Sequence, residues 1–174
     1  MSGLSLPPVD RAVHAVWAAM GLALPSDPVG TEVEFDLDGT PIRIAEALHG
    51  RGVRLVAQIG ALPPDPHGAN DALRRVLRLA LPLASFNRAT VALPAGRDRV
   101  QMESLMRGLA TPPAVVEATI VIDDPATAPA ALQELMQWRH YVADILLPVD
   151  SGARDEAAPA PAPVDPPDMM IFQP

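Results

Sequence analysis

Apolar and polar positions follow two different periods along the first half of the chain. Apolar residues first recur every three or four positions, which predicts an amphipathic helix over about Val9 to Met20. From Thr31 the period is two, with acidic residues at alternate positions, as on a strand that has one solvated face. Asp38-Gly39 predicts a two-residue hairpin, because both central positions of a type I′ turn need positive φ. A return strand and a third strand at about Val53 to Ile59 complete a predicted antiparallel meander.

The second half continues with helical and strand patterns in turn. After a predicted turn at Pro63 to Gly68, a helical stripe indicates a second helix that stops at Pro82, since proline lacks the N–H donor. The elements predicted beyond it are a strand at about Arg88 to Leu93, a short helix within Asp98 to Leu109, a strand over Val115 to Ile122 and a last helix over Ala130 to Leu147. The predicted fold is therefore α+β, an antiparallel sheet with helices packed on it, in the order αβββαβ(α)βα.

A change of composition near Pro148 divides the chain. We expect residues 1–148 to form a single α+β domain, and residues 149–174 to form a Pro/Ala-rich, acidic and disordered tail. The tail ends in a short apolar cluster, Met169 to Phe172, whose role the sequence leaves open.

Composition excludes several functions. The chain has 174 residues, of which 49% are hydrophobic, so it can bury a substantial core. All 13 basic residues are Arg and they face 21 acidic residues, a balance that argues against general nucleic-acid binding. There is no Cys, so disulfides and thiolate chemistry are excluded. Because no signal peptide or membrane-spanning apolar stretch is present, we expect a cytoplasmic protein without membrane insertion.

The sequence offers little for catalysis. Its four His are scattered without the spacing of metal ligands, and the lack of Lys excludes a conventional phosphate-binding loop or a Schiff base. We therefore predict no catalytic residue, no metal site and no cofactor.

One short motif favours an alternative. Phe35-Asp36-Leu37-Asp38-Gly39-Thr40 resembles the first motif of haloacid dehalogenase-like phosphotransferases. That resemblance implies a Mg²⁺-dependent phosphohydrolase with Asp36 as nucleophile and Asp38 as acid/base, and Asp123 and Asp124 could then bind the metal. The surrounding pattern argues against this function, because such a nucleophile follows a strand that is buried on both faces. A hairpin turn beside a solvated carboxylate accounts for the same residues.

Another resemblance covers most of the chain. Between Val9 and Leu147, the order of elements, the small size and the acidity resemble the class I type III secretion chaperones, the family of the Tir chaperone. The features that carry the resemblance are Met20-Gly21-Leu22 closing the first helix, Leu37-Asp38-Gly39 ending a strand, a Leu-rich helix ending near Phe86-Asn87 and Trp138 in the last helix. The segment from Asp98 to Pro113 departs from the family, which joins two strands there by a short turn.

The resemblance implies a non-enzymatic homodimer in the bacterial cytoplasm. Such a protein binds the N-terminal segment of a secreted effector and delivers it to the secretion apparatus, whose ATPase is a further expected partner. The candidates for effector binding are Val13, Trp17, Val33, Phe35, Ile42 and Leu55. The candidates for the dimer interface are Leu73, Leu77, Leu81 and Val91.

Two other interpretations stay open at this point. Each apolar set could simply pack in the core of its own domain, and alternation does not say which sheet face is groove and which is core. A non-catalytic adaptor domain, whose tail tethers another protein, would also fit the same scaffold.

Overall fold

The computed structural model describes residues 6–84, 88–93 and 114–149. These residues contain three α-helices and five strands. Their bounds are α1 Pro8–Ala19, β1 Glu32–Leu37, β2 Thr40–Ala47, β3 Gly52–Ala61, α2 Pro66–Leu83, β4 Thr90–Ala92, β5 Val115–Ile122 and α3 Ala128–Val142. Short 3-10 turns at Leu48–Gly50 and Pro125–Thr127 precede β3 and α3.

The strands form one antiparallel sheet in the order β1-β2-β3-β5-β4. Its first three strands are the predicted meander. Strands β1 and β2 are joined at Asp38 and Gly39, whose φ values of 51° and 71° are those of a type I′ hairpin. Helix α2 connects β3 to β4 at the far edge of the sheet, and β5 then lies between β3 and β4. The predicted α+β class and antiparallel sheet are confirmed.

The core lies between one face of the sheet and the helices. Strand register carries that face from Phe35 across Ile42 and Ala57 to Ala118, so the inward side chains of neighbouring strands stack in rows. Helices α1 and α3 cover these rows, and Trp138 of α3 is fully buried among them. The acidic residues of β1 lie on the opposite face of the sheet.

Polar side chains fasten the helices to the sheet at three points. The buried carboxylate of Asp10 in α1 accepts a hydrogen bond from the Val29 N–H at 2.7 Å, which holds the loop before β1. The guanidinium of Arg139 donates to the Asp38 carbonyl and the Thr40 hydroxyl at the hairpin. Glu134 accepts hydrogen bonds from the backbone and side chain of Arg88, just before β4.

Helix α2 is longer than predicted at both ends. The expected turn at Pro63 to Gly68 is wrong in its second half, because Asp65 caps the helix by accepting from the Gly68 N–H at 2.6 Å, and Pro66 occupies the first turn. Pro82 does not stop the helix, which ends at Leu83. Its missing N–H removes a single hydrogen bond in the last turn, where the loss matters least.

Helix α3 begins earlier and ends earlier than predicted, because Pro129 lies in its first turn and the helix stops at Val142. The apolar residues that follow leave the helix, and Leu147 pairs with Ala61 through two backbone hydrogen bonds of 2.8 Å.

Three expectations concern β4, the segment before β5 and the C-terminal residues. Strand β4 is shorter than the predicted Arg88 to Leu93. The helix predicted within Asp98 to Leu109 lies outside the described residues, as does the tail from residue 150 onward. The domain boundary near Pro148 therefore stays a prediction.

Candidate functional site

The outer edge of β1 is open within the described part of the chain, because β1 pairs with β2 alone. Leu37 and Thr40 flank the two-residue turn and form a hydrogen-bonded pair. Backbone N–H and C=O groups alternate in direction along a strand, so those of Phe35 and Val33, two and four residues before Leu37, also point toward β2. The hydrogen bond from the Glu46 N–H to the Thr31 carbonyl follows the same alternation. The N–H and C=O groups of the intervening residues, such as Glu32, therefore point outward from the sheet.

An aromatic pair lies beside this edge. The rings of Trp17 in α1 and Phe35 in β1 meet edge to face with centroids 4.9 Å apart, a favourable arrangement for two aromatic rings. Both side chains are half-buried, as is Val33, which lies on the same face of β1 two residues away. Together with the open backbone edge they form the β1 edge site, which we define as Trp17, Val33, Phe35 and the outward backbone of β1.

The structure divides the six residues predicted for effector binding into two groups. Val13, Ile42 and Leu55 lie in the core between the helices and the sheet, and they have almost no surface that a partner could reach. Trp17, Val33 and Phe35 remain partly accessible and belong to the β1 edge site. Alternation assigned all six to elements correctly but could not separate the inner rows from the margin of the sheet.

Carboxylates dominate the electrostatics of the β1 edge. Glu32, Glu34 and Asp36 extend on the face of β1 opposite to the aromatic pair. Asp36 accepts a hydrogen bond from the Gly39 N–H at 2.7 Å, and Glu32 approaches Arg43 of β2 at 3.6 Å. Because both carboxylates are exposed, these contacts leave the edge with a negative potential.

The residues predicted for the dimer interface fall on two elements. Leu73, Leu77 and Leu81 follow one another at intervals of four along α2, so the helix brings them onto one stripe. The side chains of Leu77 and Leu81 are 48% and 75% exposed, while Leu73 packs partly against the core. Val91 is half-buried on β4, at the opposite edge of the sheet from β1.

The acidic residues do not assemble the site of a phosphohydrolase. Asp36 is aligned with Pro41, next to the Ile42–Ala57 pair, whereas Asp123 follows Ile122, which is aligned with Val53. Asp36 and Asp123 are therefore separated by about six residues along the strands, roughly 20 Å, and by three strand spacings of about 4.8 Å each. Asp124 also caps the turn that follows it, by accepting from the Ala126 N–H. In the described ranges no three His, Asp or Glu side chains are grouped as metal ligands.

Among the described helices, none is both long enough and apolar enough to cross a membrane.

Comparisons with known proteins identify the fold. No family model matches the chain, and no curated protein sequence matches it. The solved structures that resemble it include the HopA1–SchA chaperone–effector complex, with a TM-score of 0.53 and 8% identity, and the ExsC–ExsE complex, with a TM-score of 0.54 and 12% identity. They cover 79% and 82% of this chain, and 94% and 96% of the matched chains.

The chain has a class I type III secretion chaperone-like fold. The described part of this fold is an antiparallel sheet with three helices, whereas the nucleophile of a haloacid dehalogenase-type phosphohydrolase would follow a strand of a parallel sheet that is buried on both faces. At identities this low, the resemblance establishes the fold and leaves the partner to be argued from the site itself.

Sequence reasoning missed the contacts that hold the chaperone-like fold around its site. Arg139 reaches the hairpin from 101 residues away, and Glu134 reaches Arg88 from 46 residues away. No local period or motif signals such long-range pairs. Only the amphipathic pattern of α3, which fixes the outward and inward faces of that helix, limits where they can occur.

Proposed function

We propose that this protein is a type III secretion chaperone, a binding protein and not an enzyme, that holds the N-terminal segment of one or more secreted effectors in a soluble, secretion-competent form. The observation that carries the proposal is a strand edge that no described strand covers, beside a half-buried aromatic pair, in a fold shared with a chaperone–effector complex. Such a protein needs no cofactor. It would act in the bacterial cytoplasm and hand its cargo to the secretion apparatus and its ATPase.

Strand addition explains how an effector would bind. An extended segment placed along β1 would form main-chain hydrogen bonds with the outward backbone groups at Glu32 and Asp36. Its alternate side chains would then lie on two different surfaces. One set faces Trp17, Val33 and Phe35, and the other faces the carboxylates of β1.

The two surfaces define the sequence that fits best. Apolar side chains are favoured next to the aromatic pair, because they bury further surface there. Basic side chains are favoured at the intervening positions, since a cross-strand pair of opposite charges contributes roughly 0.2–1 kcal/mol. The preferred segment is therefore a strand in which apolar and basic residues alternate.

Self-association through α2 is the second part of the proposal. Leu77 and Leu81 are exposed in a row along α2, where Leu79 is also exposed, and exposed leucines in a row are typical of an interface. Leu73 and Val91 would extend this interface toward the core and β4.

Affinity purification tests the proposed function. The tagged protein, recovered from its native cytoplasm, should carry one or more proteins whose N-terminal segments resist limited proteolysis. Recovery of the chain alone would contradict the proposal. Deletion of residues 150–174 should leave this association intact, whereas its loss would favour the adaptor interpretation.

A variant of the edge strand sharpens the test. Glu32→Pro removes an outward N–H and no hydrogen bond to β2, so the hairpin should fold while binding of the recovered segment weakens about tenfold. Glu32→Ala removes the same carboxylate but keeps the N–H, and it should bind nearly as well as the wild type. Equal binding by both variants would exclude strand addition at this edge.

A further inference from the structure

Helix α2 carries exposed arginines beside its exposed leucines, on the side of the helix that faces away from the core. Arg74, Arg78 and Leu81 are spaced by four and then three residues, so they lie one above another along the helix. All three are exposed, and Leu81, at 75%, is the most exposed large apolar side chain among the described residues. We call these three residues the arginine–leucine stripe.

The stripe is basic in a protein whose formal net charge is -8. Asp71 is the acidic residue of α2, against Arg74, Arg75 and Arg78. In the described part of the chain, none of these arginines forms an ion pair with a carboxylate. A ligand that combines carboxylates with large apolar side chains would match both the charge and the exposed leucine.

The chain itself contains a segment of this chemistry. Residues 150–174 include five acidic residues and a single Arg. Asp168 immediately precedes the apolar cluster from Met169 to Phe172, and Asp165 lies three residues before Asp168. The β1 edge site is a poor alternative for this segment, because the carboxylates of β1 would repel it.

The path of the chain brings this segment within reach of α2. Leu147 pairs with Ala61, four residues before the N-cap Asp65, so the chain leaves the domain next to the start of α2. The stretch from Val149 to Asp168 can extend to roughly 60 Å at about 3.3 Å per residue. Helix α2, with 18 residues, is about 27 Å long, so every point along it is accessible.

We infer that the C-terminal segment from Asp165 to Phe172 docks on the arginine–leucine stripe of its own chain. Asp165 and Asp168 pair with Arg74 and Arg78, and the apolar cluster covers Leu81. The covalent connection gives the segment a high effective concentration at the stripe, which favours this occupant over a free acidic peptide. This last point rests on the proposed function: if α2 also mediates self-association, the docked segment and a partner protomer compete for Leu81.

A paramagnetic label on the full-length chain tests this inference. Because the sequence has no Cys, Gln173→Cys creates a unique attachment site for a nitroxide next to the apolar cluster. Docking should broaden the amide signals of residues 74–81 and leave those of the exposed α3 residues Gln133, Gln137 and Tyr141 unchanged. Equal broadening at both helices would overturn the inference. A second sample mixes nitroxide-labelled chains without isotope with isotope-enriched chains without nitroxide, so that any broadening of α2 must come from another molecule. Broadening of α2 that arises only between molecules would also overturn the inference.

Charge exchange identifies the contacts. Arg74→Glu with Arg78→Glu should abolish the selective broadening, and adding Asp165→Arg with Asp168→Arg should restore it. The matched control, Arg51→Glu with Arg54→Glu, reverses two exposed arginines outside α2 and should keep the broadening. Loss in the control, or no rescue by the exchanged pair, would contradict docking on the stripe. Effector recovery by the charge-exchanged variants, measured separately, tells whether the proposed function fails or holds independently.

Discussion

Single residues decide how closely the elements of this fold approach one another. Gly60 shows this most clearly, because a Cβ built there would lie 2.5 Å from the Cβ of Leu146 and 3.2 Å from the Leu147 carbonyl. The absence of a side chain at residue 60 allows the segment after α3 to pair with Ala61. The same segment precedes the last described residue, so this contact also holds the end of the described chain close to Ala61.

We therefore expect Gly60→Ala to destabilise the fold by about 1–3 kcal/mol, because the added methyl group forces the segment at Leu146 to shift. Urea unfolding measures the free-energy change, and hydrogen exchange should show lost protection at the amides of Ala61 and Leu147. Gly30→Ala is the control, since nothing lies within 4 Å of a Cβ there and its cost arises from a φ of +84°. Unchanged protection at Ala61 in Gly60→Ala would contradict this explanation.

At the level of elements, local patterns predicted what local physics determines. The periods of three to four and of two placed α1 and the first three strands, and Asp38-Gly39 fixed their turn because its φ values suit few other pairs. The ends of α2 and α3 were wrong. Asp65-Pro66 is compatible with a turn or a helix start, and the apolar residues after Val142 extend a helical stripe although tertiary pairing with Ala61 ends it.

Helix α2 carries the prediction that belongs to this scale. Leu77→Asp should yield monomers or insoluble protein, because it places an unpaired charge in the proposed interface between protomers. Sedimentation equilibrium of the purified variant measures the change. Leu48→Asp is a matched control, since Leu48 is 45% exposed, lies outside α2 and has a positive φ that Asp tolerates. A soluble, folded Leu77→Asp dimer would exclude this interface.

On the scale of the whole molecule, the two proposed binding surfaces carry opposite charges. The carboxylates of β1 lie beside the aromatic pair, and the arginines of α2 lie on a different element. Three of the six residues predicted for effector binding, Trp17, Val33 and Phe35, lie in the β1 edge site, because the alternation of β1 and the apolar stripe of α1 place them on these elements. It could not exclude Val13, Ile42 and Leu55, since their burial depends on how α1 and α3 cover the sheet.

The acidity of the β1 edge predicts how binding responds to salt. If basic residues of the effector segment face this edge, the association rate constant with the recovered segment should fall several-fold when salt rises from about 0.05 M to about 0.5 M, because exposed charges are screened. The dissociation rate should change little, since hydrogen bonds of the added strand and contacts with Trp17 and Phe35 oppose release. Stopped-flow or surface-binding kinetics measure both constants.

Glu32→Gln should reduce the salt dependence of association, whereas Glu46→Gln, which removes an exposed carboxylate from β2, should preserve it. An association rate independent of salt would mean that the carboxylates of β1 do not face the effector, and the alternating apolar and basic segment would then be the wrong ligand.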